Sequence, residues 1–182
     1  MSGERPETGN RPQTSAERAS EAGVRAHPPA PQRWPHLAGR MEGREHVLPV
    51  RVYYEDTDFS GFVYHANYLK FCERGRSDFL RFANVHHHAL HWNETGGRAG
   101  FVVRRMTCDW IKPAIIDDVL EVRTRLIESR GARLELAQRI LRDEALLFTA
   151  RVTAVMVDDK GHPRRLPAPI RSAMAALLWP ES

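Results

Sequence analysis

One long amphipathic segment followed by four segments that alternate apolar and polar residues limits this chain to a helix packed on an antiparallel sheet. From about Tyr64 to Phe82, Lys70, Glu73, Arg74, Ser77, Asp78 and Arg81 recur at spacings of three and four. That spacing gathers them on one side of a helix. Tyr64, Tyr68, Phe71, Phe79 and Phe82 make one apolar stripe, and Leu69, Cys72, Leu80 and Ala83 make its neighbour. Two adjacent stripes need a broad surface to cover them. Gly75 lies on the same apolar side. Glycine costs about 1 kcal/mol against alanine inside a helix, so a close approach to the sheet is what it is expected to supply.

The strands follow from period-two alternation. Phe101–Ile111 is rich in Val, Thr, Trp and Ile. In Val119–Ile127, Leu120, Val122 and Leu126 alternate with Glu121, Arg123 and Arg125. In Arg133–Leu141, Leu134, Leu136 and Ile140 alternate with Arg133, Glu135 and Arg139. In Leu147–Val157, Phe148, Ala150, Val152, Ala154 and Met156 share a face. Turn signals at Arg130-Gly131, Asp143-Glu144 and Asp158–Gly161 separate these runs. A further strand, His46–Tyr54, precedes the helix. A short helix or loop is expected over His86–Thr95, and a short helix over Ala168–Trp179. The expected class is α+β, with the sheet able to wrap around the helix. A single helix leaves sheet area to cover, so dimerisation is expected as well.

Residues 1–44 differ from the rest. Pro6, Pro12, Pro28, Pro29, Pro31 and Pro35 are scattered among charges, with few large apolar residues. Such a stretch cannot bury enough surface to offset its chain entropy. It is expected to be a disordered extension, with one folded domain over 45–182. Met41 stands just before that domain, and translation beginning there is an alternative to a genuine tail. No run of about 18 apolar residues exists to span a membrane, and no signal-peptide stretch opens the chain. A cytoplasmic location is the expectation. The net charge of +4 is spread along the chain without a dense Lys/Arg block. That argues against nucleic acid and points only weakly to an anionic ligand. Cys72 and Cys108 match neither a zinc pattern nor a redox pair and are expected to be buried free thiols.

The chemistry is concentrated in Arg51–Tyr68, RVYYEDTDFSGFVYHANY. Glu55, Asp56, Asp58, Gly61 and His65 lie between a strand and a helix start. A helix N-terminus presents free N–H groups and partial positive charge. It can polarise a carbonyl and stabilise the oxyanion formed on attack. A nearby carboxylate can activate water or attack directly. These are the parts of acyl transfer from a thioester. Spacing alone leaves a second reading open, in which the acids merely cap the helix.

Arg51-Val52, Thr57-Asp58, Gly61, Val63, Tyr64-His65, Asn67 and Tyr68-Leu69 together resemble the signature of the 4-hydroxybenzoyl-CoA thioesterase family. The likeness is strongest to its branch of Tol–Pal-associated acyl-CoA thioesterases. It runs from about Leu48 to Pro167 and includes Lys112-Pro113-Ala114, Asp118 and the segment Val157–Pro167. The resemblance implies a hotdog fold, with the antiparallel sheet wrapped around one long central helix. It implies a homodimer or homotetramer with sites between subunits. It carries the catalytic carboxylate to Asp58, as base or nucleophile, and a polar contact near the thioester to His65. Backbone N–H groups near Tyr64 and His65 become the oxyanion donors. Gly61, Tyr64 and Asn67 become substrate-binding positions, Gly61 giving the tight turn and Asn67 orienting the loop. Phe59-Ser60 replace the small residues usual after the aspartate, and a bulky Phe59 is expected to narrow the acyl pocket.

Other residues have bland readings beside sharper ones. Glu55 and Asp56 are expected to be capping or solvated acids. His86-His87-His88 with His91 and Glu94 invites a metal, but consecutive histidines do not face one way; no metal and no cofactor is expected. Arg104-Arg105 and Arg164-Arg165 are either solvated pairs or contacts for CoA phosphates. The expected substrate is a short-to-medium or aromatic acyl-CoA. An acyl carrier protein is the alternative donor, and a non-catalytic interaction module of lipid or envelope metabolism is the alternative without chemistry.

Overall fold

The computed structural model describes residues 38–85 and 98–180. Its strands are β1 (Arg40–Glu42), β2 (Glu45–Arg51), β3 (Ala99–Trp110), β4 (Val119–Arg130), β5 (Arg133–Arg142) and β6 (Ala145–Asp158). Helix α1 (His65–Phe82) lies between β2 and β3 in the chain, and α2 (Ala168–Leu177) follows β6. The six strands form one sheet in the order β1-β2-β4-β5-β6-β3, and every neighbouring pair is antiparallel. This is the expected hotdog arrangement. β3 stands at one edge.

The alternation places side chains as the sequence requires. Leu120, Val122 and Leu126 of β4, Leu134, Leu136 and Ile140 of β5, and Phe148, Val152 and Met156 of β6 are buried. They meet Tyr68, Phe71, Cys72, Phe79 and Leu80 of α1 in one core. Burying each such side chain contributes about 1.5–3 kcal/mol. The two ends of the aromatic stripe differ: Tyr64 and Phe82 are exposed, because they lie at the helix ends beyond the sheet's cover.

Gly75 does what its position in the helix requires. A Cβ there would stand 2.8 Å from Val122 Cγ1 and 3.2 Å from Thr124 Oγ1. The helix therefore sits closer to the sheet than any other residue would permit. Two inward polar groups are accommodated at this contact. Gln138 Nε2 donates to the Cys72 carbonyl at 2.9 Å and to Thr124 Oγ1 at 3.0 Å. Arg76 donates to Gln138 Oε1 at 2.8 Å.

Four expectations need correction. The strand before the helix ends at Arg51, because Tyr54–Asp56 turns in a 3-10 helix. The folded part starts before residue 45, since β1 pairs with β2 from Arg40 onward and Met41 packs against the core. Asp78, grouped by spacing with the solvated face, is buried. His46 Nε2 lies 2.9 Å from its Oδ2, and the Gly39 N–H donates to the same oxygen at 2.7 Å. Cys72 is buried but Cys108 is only half-buried, because it lies on the edge strand β3. Burial pushes the Cys72 thiol up to about 12, which makes it inert. The stretch His86–Thr95, with its histidine cluster and Glu94, lies outside the described residues. Among the described residues, no helix is long and apolar enough to cross a membrane.

Candidate active site

The site is built from the loop 57–63 and the start of α1. The loop is closed at its base by Asp58 N–H donating to the Phe62 carbonyl at 3.0 Å, and at its tip by Gly61 N–H donating to the Asp58 carbonyl at 3.0 Å. Gly61 has φ +80°, a left-handed conformation that glycine adopts without strain. The segment Ala114–Asp118 braces this loop from below. Val63 N–H donates to the Ala114 carbonyl at 2.9 Å, and Phe62 pairs with Ile115. Ala114 N–H in turn donates to the Tyr68 hydroxyl at 2.9 Å, tying the brace to the helix. Asp118 accepts from Ile115 N–H and from Arg142.

Asp58 is exposed, and one of its two oxygens is engaged. Ser60 donates to Oδ1 through both its hydroxyl and its N–H, the latter at 2.8 Å. These two bonds hold the carboxyl below its ordinary value, with a smaller contribution from His65. Oδ2 has no partner among the described residues. Sequence reasoning missed this contact of Ser60, since a serine two positions after an aspartate is also an ordinary loop residue.

Tyr64 caps the helix by its backbone without a side-chain bond. Its N–H donates to the Asp56 carbonyl at 2.9 Å, so it is not an available oxyanion donor. The N–H groups without a partner among the described residues belong to His65 and Ala66, the first two helical positions. Of the N–H groups expected near Tyr64 and His65, that of Tyr64 is engaged and that of His65 is open among the described residues. The His65 side chain is exposed, with Tyr64 at 4.4 Å between ring centroids and Trp110 at 6.1 Å.

Asn67 is not presented to a ligand. It is buried, and its Nδ2 donates to the Asp56 carbonyl at 2.9 Å, the same oxygen that takes the Tyr64 N–H. It orients the loop. Asp56 is also buried and accepts the Tyr53 N–H at 2.9 Å, a capping acid as expected. Glu55 is exposed. Phe59 is wholly exposed, at 108% relative accessibility, so within one chain it narrows no pocket.

Asp58 lines neither of two cavities formed by the described residues. One of about 110 Å³ lies between the second half of α1 and strands β3, β5 and β6, against Arg76, Leu80 and Phe101. One of about 470 Å³ lies between α1 and β2, against Arg51, Arg74 and Arg81. Arg104 and Arg105 are exposed on β3. At about 3.3 Å per residue they lie roughly 17–20 Å along the strand from Trp110 and the helix start. The Arg164 N–H donates to Met156 at that same end of the sheet.

A helix wrapped by an antiparallel sheet, with a carboxylate loop at the helix start, is the hotdog arrangement. Residues 52–178 match the thioesterase-like superfamily, and the chain belongs to it. The match passes Pro167 and takes in α2, which the signature residues alone leave outside. The chain is 48% identical over 124 residues to acyl-CoA thioester hydrolase YbgC of Escherichia coli O157:H7, covering 67% of this chain and 90% of that one. It is 40% identical over 127 residues to acyl-CoA thioesterase YbgC of Haemophilus influenzae, covering 69% and 91%. The crystal structure of a probable thioesterase from Bartonella henselae superposes with a TM-score of 0.66 at 46% identity, covering 68% of this chain and 99% of that one. The chain is accordingly a hydrolase.

Proposed function

We propose that the chain hydrolyses acyl-CoA thioesters of short-to-medium or aromatic acyl groups to the free acid and CoA. One observation carries the reading: a carboxylate with a free oxygen, Asp58 Oδ2, stands on a braced loop beside a helix start with unengaged N–H groups at His65 and Ala66. The two N–H groups take the thioester oxygen and the charge that develops on it. Asp58 either removes a proton from water as the water oxygen attacks the carbonyl carbon, or attacks that carbon itself to give an anhydride that water then opens. In both routes the C–S bond breaks, and the thiolate leaves and gains a proton. His65 stands at the mouth of the site as a polar contact. Gly61 and Tyr64 line the approach, and Asn67 holds the loop. No cofactor enters either route.

The working unit in this reading is a homodimer, or a tetramer of dimers. β3 supports it: twelve residues at the sheet edge offer unpaired backbone groups to another strand, and Val102 and Val103 beside them are exposed.

The test is thiol release from a panel of acyl-CoAs, short to long and aromatic, beside the same acyl groups on acyl carrier protein. Release from acyl-CoA is the expected result. Release from the carrier alone would reassign the donor, and release from neither would leave an interaction module.

A further inference from the structure

We infer that Trp110 is a positioning residue for this site: its indole fixes and polarises the His65–Ala66 peptide so that the Ala66 N–H meets the thioester oxygen. The inference rests on the proposed thioesterase reading of the helix start. Trp110 is the last residue of β3, and its Nε1–H donates to the His65 carbonyl at 3.1 Å. A carbonyl oxygen has two lone pairs, so the indole adds to whatever bond the helix makes there. The peptide unit is planar and trans, so its carbonyl and its N–H point in opposite directions. Holding the His65 oxygen therefore aims the Ala66 N–H outward from the helix start. Hydrogen bonding at one end of an amide also strengthens the other end as a donor, by an order of 10–30% per bond. The neighbouring Tyr64–His65 peptide is held in the same way, because its carbonyl accepts the Asn67 N–H at 2.8 Å while the His65 N–H stays open.

The indole is itself held. Its ring meets Phe148 edge-on at 5.3 Å between centroids, and Phe148 stacks on Tyr68 at 5.4 Å. Tyr68 accepts from Ala114, whose carbonyl takes the Val63 N–H. The chain of contacts thus runs from the end of β3 through the core and back to the residue before the helix cap. Trp110 is still 47% exposed. The ring is thus anchored on the core side, with its N–H aimed at one first-turn carbonyl.

The experiment compares wild type, Trp110→Phe and Asp58→Asn on an acyl-CoA that the wild type hydrolyses. Phenylalanine keeps a ring against Phe148 and removes the N–H. Loss of a whole oxyanion donor costs about 10²–10³ in kcat, and here the donor stays but loses its aim. Trp110→Phe is therefore expected to lower kcat about tenfold with KM changed less than twofold. Unchanged kcat, or a change confined to KM, overturns the inference. Retained turnover in Asp58→Asn instead overturns the site reading and leaves the Trp110 comparison to be judged separately. A second readout needs no turnover: in amide NMR spectra the Ala66 proton should move upfield in Trp110→Phe while that of Glu73, two turns along, stays. An unmoved Ala66 proton overturns the inference. Should Trp110→Phe not fold, hydrogen exchange of the wild-type Trp110 indole decides. Protection relative to a free indole peptide supports the bond, and exchange at the free rate overturns it.

Discussion

The hydroxyl and the backbone N–H of Ser60 close on the same oxygen of Asp58, Oδ1, and leave Oδ2 open among the described residues. A carboxylate held in this way keeps one oxygen fixed and the other free to meet water or a carbonyl. It also ionises more easily, because two donors stabilise the charged form.

Ser60→Ala removes the first of the causes that lower the Asp58 pKa. Asp58 works ionised, so activity is full above its pKa and falls as pH drops through it. In the wild type that loss lies below the ordinary value of 3.8. In Ser60→Ala the acid limb should move up toward 3.8, with activity near neutral pH little changed. A profile of kcat/KM against pH reads this directly, and an unmoved limb would mean that Ser60 does not hold Asp58 in solution.

Gly75→Ala sets two effects against each other. Alanine gains about 1 kcal/mol as a helix former. The added methyl would stand 2.8 Å from Val122 Cγ1 and 3.2 Å from Thr124 Oγ1, and overpacking of this kind costs about 1–3 kcal/mol. The variant should be less stable by about 1–2 kcal/mol in urea unfolding. Equal or greater stability would show that helix and sheet can part at no cost.

Much of this fold can be read from the sequence, because the helix and the sheet each repeat on their own period. Leu120, Val122 and Leu126 face the core for the same reason that Arg123 and Arg125 do not. Gly75 was legible too, since a glycine in a strong helix pattern needs a reason. Asp78 was not. Its spacing matches that of the solvated residues, but His46, 32 residues earlier, and the Gly39 N–H both come to meet it. The same limit hid Trp110, whose partner carbonyl belongs to His65, 45 residues earlier. Asp58 and the helix start were legible through the run of motif residues. What engages each N–H and each oxygen depends on contacts such as Asp56 with Tyr64 and Asn67, which no periodicity encodes.

The Gly39–Asp78 bond bears on where the chain must start in order to be stable. Burial pushes the Asp78 carboxyl up. The bonds from His46 and from the Gly39 N–H, with the charges of His46 and Arg81, outweigh that and hold it below its ordinary value of 3.8. A lowered carboxylate pKa stabilises the fold above the unfolded value, and the gain is lost as pH falls through the folded one. A chain beginning at Met41 lacks the Gly39 donor and the contacts of Arg40 with Glu42 and Glu121. Its acid unfolding midpoint should lie at higher pH than that of the full chain. Coincident acid unfolding curves by circular dichroism would contradict this.

The central claim is that Asp58 carries the chemistry, and the most direct measurement is thiol release by wild type and Asp58→Asn on the same acyl-CoA. Asparagine keeps the size and one acceptor for Ser60 while removing the charge. Turnover should fall about 10²–10⁴-fold, the usual weight of a positioned acid–base group, with the fold intact by circular dichroism. Turnover within a few-fold of wild type would contradict the account.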